Sequence, residues 1–153
     1  MAVANALSFK DFVLALGDGA GPEVFTPVGA FLSRSLKGKL DTYSTDVPDA
    51  TDDSAIMTRE IEGKSLGWEV SADGILALGG ATAPASVMRA WFMSAVPKNC
   101  TLTISGTLAA GGGAYSGSFW LTDFNIAAKR GEKATVSVTL MAGSGVIWTP
   151  AGA

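Results

Sequence analysis

The 153-residue chain has no histidine and a single cysteine, Cys100. Without histidine, Ser-His-Asp and Cys-His nucleophile machinery, histidine acid–base chemistry and His-ligated zinc are excluded. One cysteine cannot form an internal disulfide, which suits a reducing cytoplasm or a protein indifferent to redox. No apolar run reaches the roughly 18–20 residues of a helical membrane span, and MAVANALSFKDF lacks the basic start and apolar length of a secretory signal. No membrane partner is expected. Positive charge is also scarce: 11 basic against 14 acidic residues, a net charge of −3. That is a poor electrostatic footprint for tight nucleic-acid binding.

Nineteen glycines, with frequent Ser and Thr, favour a β-rich chain. The length predicts one domain spanning 1–153 that folds without staples. Phe9–Leu16 places Phe12, Leu14 and Leu16 on one face of a first strand. The GDGAGPE turn at Gly17–Glu23 follows, and Pro27 makes Glu23–Phe31 an edge segment. Ser33–Tyr43 alternates, with Leu36 and Leu40 opposite Lys37, Lys39 and Asp41. Ala55–Gly63 leads back into the sheet, and Lys64–Ala72 alternates with Leu66, Trp68, Val70 and Ala72 on its apolar face. Helical spacing over Ala81–Val96 (about 82–96) gives a packing face of Val87, Met88, Trp91, Phe92 and Ala95, with Thr82 or a neighbour as cap and Pro97 as the stop. Three strands finish the chain: Asn99–Thr107, Gly117–Ala128 (apolar on both faces, hence central) and Ala134–Ala142, with Val146–Thr149 as an extension. The expectation is a mainly β fold, a β-sandwich or partly open barrel of about seven strands with one flanking α-helix and a long hairpin arm.

The arm is the unusual stretch. Between two alternating runs lies an acidic segment with Asp46, Asp49, Asp52 and Asp53, a proline and no base. Hairpins usually close in about two to five residues, and long structureless loops are usually functional or disordered. Three readings compete for the long loop 46–59: a solvated acidic loop, a cation site, or an arm meeting a partner. EF-hand ligand spacing is missing, so a cation is disfavoured. The arm reading is preferred, with Asp46, Asp49, Asp52, Asp53 and Arg59 on the arm and Arg34, Lys37 and Lys39 of a neighbouring copy as candidate basic partners.

Other motifs yield to plainer readings. GDGAG and AAGGGA run into strands, without the helix N-terminus or Gly-Lys-Ser/Thr of a phosphate cradle. Glu60 and Glu62 share a strand face, but nothing supplies a pocket for glycosidase chemistry. Trp68, Trp91, Phe92, Phe119, Trp120 and Phe124 read as core, and Trp148 as exposed or interfacial. No catalytic residue, cofactor site or metal site is expected, and the chain does not read as an enzyme.

The order DFVLALGDGAGPEVFTPVGAFLSRSL, DVPDATDDS and REIEGKSLGWEVSADGIL, then a helix and a three-strand finish, resembles the major tail tube proteins of tailed bacteriophages, of the non-contractile siphophage type. The resemblance implies a structural virion protein assembled in the host cytoplasm. Homo-hexameric rings would stack into a tube, with the long hairpin loop reaching an adjacent ring and ordering there. A tape-measure protein would fill the lumen, and tail terminator and distal tail proteins would meet the ends. DNA would pass during ejection without being specifically bound. It also implies that this chain, ending at Ala153, lacks the C-terminal Ig-like domain some relatives carry. Two alternatives stay open: a tube subunit of a contractile tail or related injection machine, and a monomeric β-sandwich carbohydrate-binding module.

Overall fold

The computed structural model describes residues 8–28, 31–76, 84–106 and 110–152. Eight strands form one antiparallel sheet: β1 (Phe12–Gly17), β2 (Phe25–Pro27), β3 (Phe31–Val47), β4 (Thr58–Ile75), β5 (Lys98–Ile104), β6 (Gly113–Ala127), β7 (Thr135–Ala142) and β8 (Ile147–Pro150). The one α-helix among the described residues, α1 (Pro84–Ser94), stands between β4 and β5 in the chain. The strand order is β2-β1-β5-β6-β7-β4-β3, with β8 beside β6. The sheet is open and mainly β in class, as the alternation predicts, and β2 and β3 form its edges.

One face of this sheet carries the core. Leu14 pairs across with Leu102, and Leu102 with Tyr115; Leu121 pairs with Leu140, and Leu140 with Val70. Every partner lies on the same side, because cross-strand neighbours share a face. Leu14, Val70, Leu102, Phe119, Val136 and Leu140 are completely buried in one cluster. Helix α1 closes it with Met88 and Trp91, both buried. The Trp91 indole N–H donates to Val96 O at 2.7 Å, so its one polar atom is satisfied inside the core. The helix ends at Ser94 because Ala95 has a φ of +52°, and Pro97 cannot continue it. Ala95 therefore lies beyond the helix and is exposed. The expected cap at Thr82 lies outside the described residues.

β6 is central, with β5 on one side and both β7 and β8 on the other. It starts at Gly113, so the second half of the glycine-rich run is strand, not connection. A bulge between Leu121 and Asp123 shifts the phase and puts Phe124 on the same face as Leu121. Trp120 faces the other way and is 45% exposed, so it is not the core residue its sequence context suggests. The Gly17–Glu23 segment is a plain turn: Asp18 Oδ1 accepts from the N–H groups of Ala20 and Val24, and Glu23 Oε1 from Gly19. β2, with Pro27 at its end, sits at the sheet edge, where a missing N–H costs nothing.

Candidate assembly interface

β3 and β4 pair continuously from Phe31↔Gly74 to Val47↔Thr58. β7 covers only the inner part of β4, from Glu69 to Ile75. Beyond that, the outer part, Thr58–Trp68 in β4, has β3 as its sole strand neighbour among the described residues. The result is a two-stranded ribbon extending on the order of 30 Å past the sheet body. Free two-stranded hairpins are marginal in water, because one pair of strands buries too little.

The hairpin is longer, and its closing loop shorter, than the sequence suggests. Asp46, Val47, Thr58 and Arg59 belong to the paired strands, and the loop is confined to residues 48–57. Arg59 sits directly opposite Asp46 and donates from Nε to Asp46 Oδ1 at 3.1 Å. This arm pair therefore closes within the chain. Two aspartate-headed turns shape the loop itself. Asp49 Oδ1 accepts from Thr51 N–H, Thr51 Oγ1 and Asp52 N–H at 2.8, 2.8 and 3.0 Å. Asp52 Oδ1 accepts from Ser54 N–H and Ser54 Oγ at 2.9 and 2.6 Å. These bonds favour the charged carboxylates, so the pKa of each is lowered: by Thr51 above all for Asp49, and by Ser54 for Asp52. The loop thus contains two turns of its own. Asp53 alone among the loop aspartates makes no hydrogen bond or ion pair with the described residues.

The two faces of the ribbon differ. The bulge between Asp41 and Thr42 leaves Lys64 as an extra residue and brings Ile61 onto the face of Leu40 and Leu66. That apolar face continues from the core through Trp68, yet Ile61 and Leu66 are 65% and 63% exposed. Gly38 lets the Trp68 ring lie flat on the strand, since a Cβ there would be 3.1 Å from it. The opposite face is polar. Glu60 and Glu62 lie on it, both exposed, and Tyr43 donates its hydroxyl to Glu62, which raises the phenol pKa.

The candidate basic partners divide by the same parity. Lys37 and Lys39 are on the polar face, where Lys39 pairs with Asp41 at 3.5 Å and Lys37 stands opposite Glu69. Arg34 is on the core face opposite Ala72, half-buried, and desolvation lowers its pKa. Of the predicted helix face, Met88 and Trp91 are buried, Val87 is half-buried, and Phe92 is partly exposed and stacks on Phe124 at 6.2 Å. Beyond its buried face, α1 exposes a stripe of Arg89, Phe92 and Met93. The signal for it in the sequence is a helix with one charge and no clear polar face.

Exposed apolar residues thus occur on the ribbon, the loop tip and α1, as well as on β2, β8 and the outward face of β6 and β7. Ile56 and Met57 at the tip are 96% and 59% exposed. Contiguous exposed apolar surface on a small protein marks an interaction face. Among the described residues no cluster of metal-ligating side chains occurs, and no helix is long and apolar enough to cross a membrane.

Several solved structures share the fold. A chain of the virion of a native gene transfer agent particle superposes with a TM-score of 0.72 at 15% identity, covering 94% of this chain and 99% of that one. The SPP1 tail tube gives 0.67 at 9% identity, covering 95% and 80%. A chain of the sheath-tube complex of an extracellular contractile injection system gives 0.61 at 15% identity, covering 97% and 94%. Identities this low establish the fold alone. No curated protein sequence matches the chain. The family model described as phage tail tube protein, however, matches residues 6–147, nearly the whole sequence. An open antiparallel sheet with an uncovered hairpin ribbon and apolar outer surfaces is what a subunit of a larger wall requires, and this chain belongs to the phage tail tube protein family.

Proposed function

We propose that this structural virion protein forms homo-hexameric rings that stack into the tail tube, the conduit for DNA ejection. The observation that carries the reading is the ribbon: paired strands with an apolar face that none of the described residues covers. Neighbouring copies would pair along the exposed edges β2 and β3, which otherwise invite uncontrolled strand addition. A repeated contact between different surfaces of one chain builds a filament, and the ribbon with its loop 48–57 is the element that reaches the next ring. The six-fold symmetry of the tail of an empty gene transfer agent particle, whose chain shares the fold at a TM-score of 0.73, supports the ring size. The tape-measure protein would occupy the lumen, and terminator and distal tail proteins the tube ends. A net charge of −3 suits a wall that DNA passes without sticking. The 1–153 chain acts as a single domain in this scheme.

The higher TM-scores for the gene transfer agent and SPP1 chains favour the non-contractile type over the contractile one. A sheath gene beside this one would reverse that preference.

Negative-stain microscopy of the purified protein tests the proposal: rings or tubes are expected, and a monodisperse monomer by size-exclusion chromatography contradicts it. Deleting Asp49–Ser54 is expected to leave a folded, soluble subunit that no longer forms long tubes. Long tubes from the deletion variant would remove the arm from the mechanism.

A further inference from the structure

We infer that the arm tip of one copy docks on the exposed stripe of α1 in another copy, with Asp53 facing Arg89 and Ile56 and Met57 lying against Phe92 and Met93. The inference rests on the ring-stacking reading and names the contact within it.

The tip is defined by what its own chain leaves unused. Asp46 is occupied by Arg59, and Asp49 and Asp52 are occupied by the turns they head. The outward-facing remainder is one carboxylate and two apolar side chains, Asp53, Ile56 and Met57, all exposed. The complement must therefore be apolar with a cation at its margin.

Helix α1 carries that complement. Arg89, Phe92 and Met93 stand at i, i+3 and i+4, so they share one face. Met93 is 77% exposed, and Phe92 is held from behind by Phe124, which fixes the patch in place. Arg89 is exposed and makes no ion pair with the described residues. The helix Pro84–Ser94 contains no acid, so nothing on it balances that charge. Lys37 and Lys39 suit an acidic tip less well. They lie among Asp41 and Glu69, which leaves their neighbourhood without net positive charge. Tip and stripe are different surfaces of one chain, so their contact is heterologous, and between stacked rings it repeats along the tube.

Charge reversal tests the pairing. Asp53→Arg and Arg89→Glu are each expected to shorten or abolish tubes in negative stain while the circular dichroism spectrum stays native. The double variant, which restores opposite charges in swapped positions, is expected to recover tubes. An independent measurement needs no charge change. Ile56→Cys combined with Met93→Cys is expected to give a disulfide-linked ladder of multimers on a non-reducing gel, and neither single variant should do so. Buried Cys100, its thiol pKa pushed up to about 12 by desolvation, stays out of this chemistry. Single reversals that assemble like the native chain, a swap as defective as its parents, or assembled tubes without cross-linked species would each overturn the docking pair. Failure of the native protein itself to form rings or tubes would instead overturn the ring-stacking reading beneath it.

Discussion

The inner and outer halves of β4 are built from the same alternation and have different fates. In the inner half, Val70 and Ala72 are completely buried, because β7 lies alongside and α1 helps to close the core. In the outer half, Ile61 and Leu66 sit on the continuation of that face with water over them. Local pattern makes both halves strand, but only tertiary neighbours decide which half is core. In the proposed assembly another copy would supply the cover that the outer half lacks.

The sharpest way to break this comparison is to truncate one apolar side chain on each half. Leu140 is fully buried against Val70. Leu140→Ala should cost about 2–5 kcal/mol, the loss of a buried side chain plus the cavity it leaves. Urea denaturation of the unassembled subunit measures it. Leu66→Ala should change the stability of the same subunit by no more than about 0.5 kcal/mol, as surface changes do, yet impair tube formation. Equal destabilisation by the two variants would mean that the ribbon face is covered by its own chain.

A second comparison lies along β6. Its C-terminal part is flanked by β7, and its start by the short β8 alone on that side. Tyr115 there is sandwiched between Trp68 at 5.8 Å and Trp148 at 4.7 Å, an aromatic row that ties β8 to the base of the ribbon. Gly113 permits the approach: a Cβ on it would lie 2.5 Å from Thr149 O and 2.6 Å from the Trp148 ring. Gly113→Ala must therefore push β8 away. A cost of about 1–3 kcal/mol is expected from such overpacking, together with a change in tryptophan fluorescence. An unchanged spectrum would show that Trp148 does not hold this position in solution.

Much of this division was legible in the sequence. Strict alternation in Ala134–Leu140 gave its buried face residue by residue, and Pro27 marked an edge. Two features were not legible, for one physical reason. A bulge resets the period of two, and nothing in the sequence around Thr122 or Lys64 announces it. Thus Phe124 shares the face of Leu121 against strict alternation, and the phase of Ile61 relative to Leu66 could not be read. The acidic segment was legible as a hairpin loop, but not in its detail. Residue type alone could not say that Asp46 closes on Arg59, or that Asp49 and Asp52 are spent on turns.

That last point leads to the smallest expected effect, and it separates loop from body. Asp49 and Asp52 have lowered pKa values because their charged forms accept the turn hydrogen bonds. Each therefore adds stability that is full above the ordinary carboxylate value of 3.8 and is lost as pH falls through the lowered one. Both carboxylates are exposed, so the loss should be local: amide signals of Thr51, Asp52 and Ser54 should titrate toward loop disorder below that value. Val70 and Leu140 should remain protected from hydrogen exchange over the same acid range. In Asp49→Asn the side-chain oxygen still accepts, as a neutral group. The titration at Thr51 should then flatten while that at Ser54, governed by Asp52, persists. Acid loosening of the loop that is unchanged in this variant would mean that the Asp49 charge does not hold the first turn.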